Sequence, residues 1–598
     1  MIRSIFASIL HAGTALTLVP ALTAADAATP HGEPVLEAAT LRSVGFHWLV
    51  DGDANANARV DLQLRAVGEH AWRQGAPLFR NERRATPYRD QGGQPRTSQL
   101  AIPPGGELFA GSAVQLLPGT AYEFKLTLSD PDGGHAEHLL TGRTAVEPQA
   151  DPAAPLRHVV PGDGGGSGTS ADPFKGVQAA QAAARPGDRF LLHAGSYAHG
   201  TWDITRSGEP GKPIIWSAAG DGEAVIDGGR AADHLDGAAI KADGAHDVWF
   251  EHLAIRNAFN GIRAHGADRL VIRRCHLTAF ICGVVGVSAD AQHPQSGWFV
   301  TDNLMEGVQT WPKTGAEYAV GLESRAVWLT GSGHVVAWNR IHHVKDGIDT
   351  GDGVRCDNID IHGNDVSECF DDGSELDGSE RNVRCFENRY TDVLVGVSFQ
   401  PVYGGPVYAF RNAIYNIRGE PFKLHNAPTG AVVFHNTAVR CGAPSWVSTE
   451  DSPVDCVLRN NLFVGTEGRA ANYDPPMIRC DFDYDGFAGA SGEVFLKWCG
   501  EKYATIAEVR ATAPVYRHAI ALPTVGLFAS GLAAPTADGL IFDAATIDLR
   551  LHAGSAAIDA GQPLPGFNDG FAGKGPDLGA FEMGAKVLEY GIRPEPVR

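Results

Sequence analysis

The 598-residue sequence lacks several common functional signatures. Its nine cysteines contain no C-x-x-C pair, which argues against a zinc site built from paired thiolates. The odd count leaves at least one thiol outside any disulfide framework, and pairing does not follow from sequence. Positive charge is scarce: 49 Lys and Arg stand against 70 Asp and Glu, a formal net charge of −21. Nucleic acid is thereby disfavoured as a partner, whereas an anionic polymer remains possible wherever a bound cation reverses the local sign. The Gly cluster in GDGGGSGTSADPF does not end in G-K-[ST] and follows no βαβ pattern, so it is not a phosphate loop. Beyond the first thirty residues no apolar run is long enough to span a bilayer. What the chain has instead is 72 Gly, 36 Pro and 20% charged residues: a globular, turn-rich composition, too long for one ordinary domain.

Residues 1–27 carry Arg3, an apolar run and the small-residue end Ala25-Asp26-Ala27, and read as a secretory signal cleaved after Ala27. His11, Gly13 and Pro20 interrupt the run and argue against a membrane anchor. The expected mature protein is secreted or periplasmic, off the membrane and monomeric. Residues 31–147 pattern as a small β domain. VGFHWLV alternates around Trp48, and LLPGTAYEFKLTLSD places Leu117, Pro118, Gly119, Thr120 and Tyr122 ahead of an alternating strand. This resembles the fibronectin type III sandwich and its tyrosine corner. A Pro/Ala-rich linker over 148–157 follows. Residues 174–184 then read as a short helix before a strand, similar to the helical cap that opens a right-handed parallel β-helix.

The organising feature of residues 158–585 is a repeat. In VVAWNRIHHV, IDIHGNDVSE, VRCFENRYTD, VYAFRNAIYN, AVVFHNTAVR and CVLRNNLFVG, Asn recurs at 339, 364, 388, 412, 436 and 460, at intervals of 24 or 25. WFVTDNLMEG, with Asn303, fits more loosely. Such a period with short β-branched strands predicts a β-solenoid of about 24 residues per coil, with equivalent positions stacked about 4.8 Å apart. The recurring Asn should form a ladder inside a turn. DLRLHAGSAAIDAG…GPDLGAFE resembles the end of secreted parallel β-helix proteins, and 586–598 reads as a tail. The expected fold class is all-β: a right-handed parallel β-helix preceded by a β-sandwich.

ECFDDGSELDGS, residues 368–379, carries Glu368, Asp371, Asp372, Glu375 and Asp377 with no Lys or Arg. Stacking gives this crowding a geometry. Asp346 and Asp371 each lie seven residues after their coil's Asn; Asp352 and Asp377 lie thirteen after; Glu375, Phe399 and Lys423 lie eleven after. Asp346 and Asp371 should be axial neighbours, and Lys423 should share a ridge with Glu375 about 10 Å away. Converging oxygens from Asp346, Asp371, Asp372 and Glu375 suit calcium; the alternative is a solvated acidic turn. Lys423, between Phe422 and Leu424, should point outward, as an ordinary surface lysine also does. His342 and His343 occupy successive positions, so one should face the core and one the surface.

Together these residues resemble the family 9 polysaccharide lyases, whose motif is an Asp on one coil, D-D-x-x-D on the next, and a later Lys. Here Asp346 is followed by DDGSE, with Glu375 in the final place, and the Lys is Lys423. The resemblance implies a Ca2+ held by Asp346, Asp371, Asp372 and Glu375, with Lys423 as base in β-elimination on an acidic, uronic-acid polysaccharide. Arg418, His425 and Tyr403, on or beside the same face, would contact uronate carboxylates. VKDGIDTGDG followed by CFDDGSE also resembles polygalacturonase-type hydrolases, with Asp349, Asp371 and Asp372 as acid and base. Their downstream G-H-G is missing, as is the D-P-H-D motif of a C5-epimerase. A third reading, of another class, is a non-catalytic glycan-binding or adhesin-like stalk. The segments 304–328 and 465–540 carry no repeat signal.

Overall fold

The computed structural model describes residues 26–81, 100–231, 237–287, 294–313, 323–351, 355–446, 451–537 and 539–595. The expected signal segment lies almost wholly outside them. Among the described residues, no helix is long and apolar enough to cross a membrane.

The N-terminal part is a sandwich of two antiparallel sheets. Val44–Asp51 pairs with Gly106–Ala113 in one, and Arg59–Ala66, Ala121–Ser129 and His135–Arg143 form most of the other. The alternation in AYEFKLTLS turns Tyr122, Phe124, Leu126 and Leu128 inward, where they meet Phe46 and Trp48. Phe46 packs edge-to-face on Phe124 at 4.9 Å, and the Tyr122 hydroxyl accepts a hydrogen bond of 3.0 Å from Leu117 N.

From Leu156 onward the chain winds as a right-handed parallel β-helix. The helix Val177–Ala183 caps its open end and buries Val177 and Ala180. One parallel sheet has 14 strands and the other 18. A single apolar core runs from Val159 to Ala519 between them. The coils from 339 onward share a first turn, and the four from Asn339 to Asn412 share a second. A residue in the left-handed region precedes the ladder Asn: Trp338 (φ 55°), Glu387 (53°), Arg411 (54°), His435 (53°) and Asn460 (60°). Four residues after the Asn a second left-handed residue bends the coil again: His343 (60°), Glu368 (54°), Asp392 (59°) and Asn416 (60°). Such φ values are uncommon outside Gly and Asn. Coil after coil holds them because stacking commits each turn to the turn below.

The ladder is continuous. The amide of Asn303 donates to Oδ1 of Asn339 at 2.9 Å, and the same bond recurs from 339 to 364, 364 to 388, 388 to 412, 412 to 436 and 436 to 461 at 2.9–3.0 Å. The loosely fitting Asn303 is thus a full member. The last Asn is Asn461, not the Asn460 of the regular count: Asn460 takes the left-handed turn position, and the ladder ends on Asp485, whose Oδ1 accepts from Asn461 at 3.0 Å. All nine cysteines are free thiols.

The sandwich docks on the 14-stranded sheet, away from the acidic stretch. Glu37 accepts from Arg381 at 2.5 Å and Asn382 at 2.8 Å; Arg384, fully buried, reaches Asp360 at 2.5 Å and Ser112 at 3.0 Å. Gly45 lies so close that a Cβ there would stand 2.2 Å from Asn358 Oδ1. The C-terminal tail returns along the solenoid. Arg593 bonds both Asp302 (2.6 Å) and Glu147 (2.7 Å) and stacks on Trp338 at 3.6 Å.

Candidate functional site

The acidic stretch begins in the long strand Asp365–Glu375 of the 18-stranded sheet and ends in the turn that carries Asp377. This coil holds one more residue than its neighbours in the second leg. Val344 pairs with Cys369, but Ile348 pairs with Ser374; Cys369 pairs with Val393, but Asp372 pairs with Val395. The extra residue is a bulge at Asp371-Asp372. It brings two consecutive carboxyl groups together where a regular strand would send them to opposite faces. Oxygens of Asp346, Asp371 and Asp372 all lie within 4.8 Å of one another.

The bulge also sets the register beyond it. Asp349 pairs with Glu375, Glu375 with Ser398, and Ser398 with Lys423. Lys423 therefore shares the ridge of Glu375 two coils away, as the spacing predicts, with Ser398 rather than Phe399 between them. Phe399 is buried. Lys423 reaches back across that rung and its ammonium donates to Asp372 Oδ2 at 2.9 Å. Asp377 stands beside it, accepting from Ser398 Oγ at 2.8 Å and Gln400 N at 2.6 Å. Asp352, expected to stack with Asp377, lies outside the described residues.

The stretch has no cation of its own, and other coils supply them. Arg325 forms an ion pair with Asp349 and approaches Glu375 at 4.0 Å. Lys345 lies 3.5 Å from Asp371 and 3.9 Å from Asp346, and its ammonium is shared with Glu323 at 2.7 Å. Sequence reasoning missed both. Lys345 adjoins Asp346 in the chain, but nothing in the spacing brought it to Asp371; Arg325 lies within 304–328, which carries no repeat signal, and offered none.

Carboxyl groups still outnumber these cations, and burial makes the excess costly. Burial raises the pKa of Asp346 far above the ordinary carboxyl range, with Asp371 adding repulsion. Glu375 is raised likewise by burial, then by Asp346 and Asp349. Asp349 is raised by burial against the pull of Arg325. Asp372 is pushed up to about 7 and Asp377 to about 8, burial outweighing Lys423 in both. Lys423 moves upward: its burial favours the neutral amine, but Asp372 and Asp377 hold the proton. Asp346 Oδ2, Asp372 Oδ1 and Glu375 Oε2 are buried and accept no hydrogen bond.

An oxygen-only donor set with orphaned, buried carboxylate oxygens fits a hard divalent cation. Asp346, Asp371 and Asp372 are the residues that could hold it. Glu375 stands outside that trio, on the adjoining ridge with Asp349 and Arg325.

The structure places the other three expected contacts as follows. Arg418 donates to the Lys313 carbonyl at 2.6 Å and lies over Trp311. His425 lies 3.6 Å from Glu420. Tyr403 is buried in Tyr403–Phe410, a strand of the other sheet.

No family model and no curated protein matches the chain. Among solved structures it is similar to XylC in complex with xylose, at 11% identity and a TM-score of 0.46, over 73% of this chain and 99% of that one. A family 28 exopolygalacturonase from Yersinia enterocolitica matches at 14% identity and a TM-score of 0.24, over 79% and 97%. The catalytic domain of a GH87 alpha-1,3-glucanase with nigerose matches at 12% and 0.30, over 79% and 94%. At these values the likeness carries no argument about function.

Proposed function

We propose that the protein is an exported β-helix enzyme that cleaves a uronic-acid polysaccharide by β-elimination at the carboxylate–lysine patch of the 18-stranded sheet. The observation that supports this reading is the convergence of Asp346, Asp371 and Asp372 oxygens, with orphaned lone pairs on Asp346 and Asp372, beside a half-buried Lys423. A calcium ion held by Asp346, Asp371 and Asp372 would supply positive charge for a uronate carboxylate and acidify its C5–H. Lys423 stands next to that position. Asp372 and Asp377 keep it protonated while their own charge is unspent; once they are neutralised, its burial favours the free amine, which can take the C5 proton as O4 departs. Arg325 and Lys345 add fixed positive charge for binding a polyanion. The N-terminal module, read as fibronectin type III-like, lies on the opposite sheet and takes no part.

A second reading is hydrolysis by paired carboxyl groups, and one observation favours it. Asp349 and Glu375 are register partners on adjacent strands, about 4.8 Å apart along the axis. A retaining glycosidase likewise needs two neighbouring carboxyl groups. Burial raises both groups, but Arg325 holds Asp349 back while Asp346 and Asp349 push Glu375 further up, a difference that would make Glu375 the acid of the pair. Hydrolysis also fits what is named for two of the solved structures above, though their likeness is one of fold and decides nothing here.

Uronic-acid polysaccharides assayed with calcium and with chelator separate the readings. A calcium-dependent rise in ultraviolet absorbance from unsaturated uronate, lost in Lys423→Ala, is expected. New reducing ends without that absorbance, lost in Glu375→Gln, would transfer the assignment to the hydrolase. Binding without turnover would leave the glycan-binding stalk.

A further inference from the structure

His342 and His343 do not split between core and surface. His343 takes the left-handed bend (φ 60°), which turns its side chain to the same outer face as that of His342. Their Nδ1 atoms stand 3.0 Å apart. The opposite nitrogen of each ring faces a carboxylate: His343 Nε2 lies 3.0 Å from Glu368 Oε2, and His342 Nε2 lies 3.5 Å from Glu306 Oε1. Glu306 is the register partner of His342 on the preceding coil, and its other oxygen bonds His276 Nε2 at 2.6 Å. The Nδ1–Nδ1 and His343–Glu368 contacts each call for a hydrogen, and Glu306, 3.5 Å from His342 Nε2, draws positive charge to that side of the ring. If both Nε2–H groups donate to their carboxylates, two Nδ1 lone pairs face one another across 3.0 Å. That arrangement calls for a further positive charge between the rings.

We propose that His342 and His343 form a binding site for a divalent transition-metal ion of the kind that prefers imidazole, held by the two Nδ1 atoms. The separation fits: two nitrogens each about 2.0–2.1 Å from one metal at a tetrahedral or square angle stand about 3 Å apart. Glu306 and Glu368 play the outer carboxylate part that fixes ring tautomer in metal-bound histidines. Half-exposure of both rings leaves the remaining coordination positions open to water or an external ligand. The donors are nitrogen, so the site is chemically distinct from the all-oxygen cluster of Asp346, Asp371 and Asp372, and it stands whether or not that cluster binds calcium.

The test uses the untagged full-length protein, stripped with chelator, resupplied with excess calcium and titrated with zinc(II) by calorimetry. X-ray absorption at the zinc edge counts the imidazoles. One zinc per chain with two imidazole ligands is expected. His343→Ala should weaken binding at least tenfold, and Glu368→Gln about tenfold, the low end for an outer partner. A zinc environment of oxygen alone, unchanged affinity in His343→Ala, or loss of zinc in Asp371→Asn with both histidines intact would overturn the proposal. Should His343→Ala melt early, His342→Phe and the absorption spectrum of the wild type decide it.

Discussion

Lys423 and Asp371 are the residues on which the functional reading turns. Lys423→Ala should lower turnover by about a thousandfold, the range for losing a positioned base. Its fold should survive, because Asp372, already raised to about 7, can take a proton in place of its partner. Steady-state rates beside a melting curve check both halves. Asp371→Asn should weaken calcium binding, measured by calorimetry, without moving the Asn ladder behind it. The sequence showed which carboxylates these would be, because a period of 24 or 25 converts spacing into stacking. It did not show that Lys345 stands beside Asp371 and Asp346, since a count along coils says nothing of how far a long side chain swings. Nor did alternation place His343: a left-handed residue breaks the in-out rule that alternation assumes.

Among the elements, the ladder carries the clearest stability prediction. Asn388 accepts from the backbone and side chain of Asn364 and donates to the Ile361 carbonyl and Asn412. Asn388→Ala leaves several buried groups unsatisfied and should cost about 3 kcal/mol in chemical denaturation. The ladder's end predicts a pH effect. Burial pushes Asp485 up to about 7 in the folded chain, from 3.8 when unfolded. The folded state therefore binds the extra proton, and stability falls as pH rises from about 4 to about 7. Asp485→Asn removes that loss and continues the amide series. It should raise stability at pH 8 by about 1–3 kcal/mol and do little at pH 4, read from melting curves at both values. The ladder was legible as a period. Its last step was not, because NN at 460–461 offers two candidates and only the turn geometry selects the second. The bulge at Asp371-Asp372 leaves no trace in the spacing: Asn364 to Asn388 is an ordinary 24, and the register is regular again where Val383 pairs with Val407.

At the scale of the whole molecule, sequence supports a sandwich and a solenoid but not their relation. The contacts that join them involve Glu37, Arg381, Arg384 and Asp360, single residues with no pattern around them. Because those charges are buried across the junction, the two parts should melt together. Calorimetry should give one transition, and Gly45→Val should lower it, since its side chain would collide with Asn358. Two well-separated transitions in the wild type would contradict that docking. The sandwich buttresses the 14-stranded sheet, the tail runs along the turns between the two sheets, and the carboxylate–lysine patch lies on the 18-stranded sheet. The most direct test of what that patch does is to cleave the responsive polysaccharide in heavy-oxygen water and weigh the fragments. Elimination predicts new non-reducing ends lighter by one water than those of hydrolysis and, weighed before the anomeric oxygen exchanges with solvent, new reducing ends carrying no solvent oxygen. Heavy oxygen at the new reducing ends would contradict the account and assign the chemistry to Asp349 and Glu375.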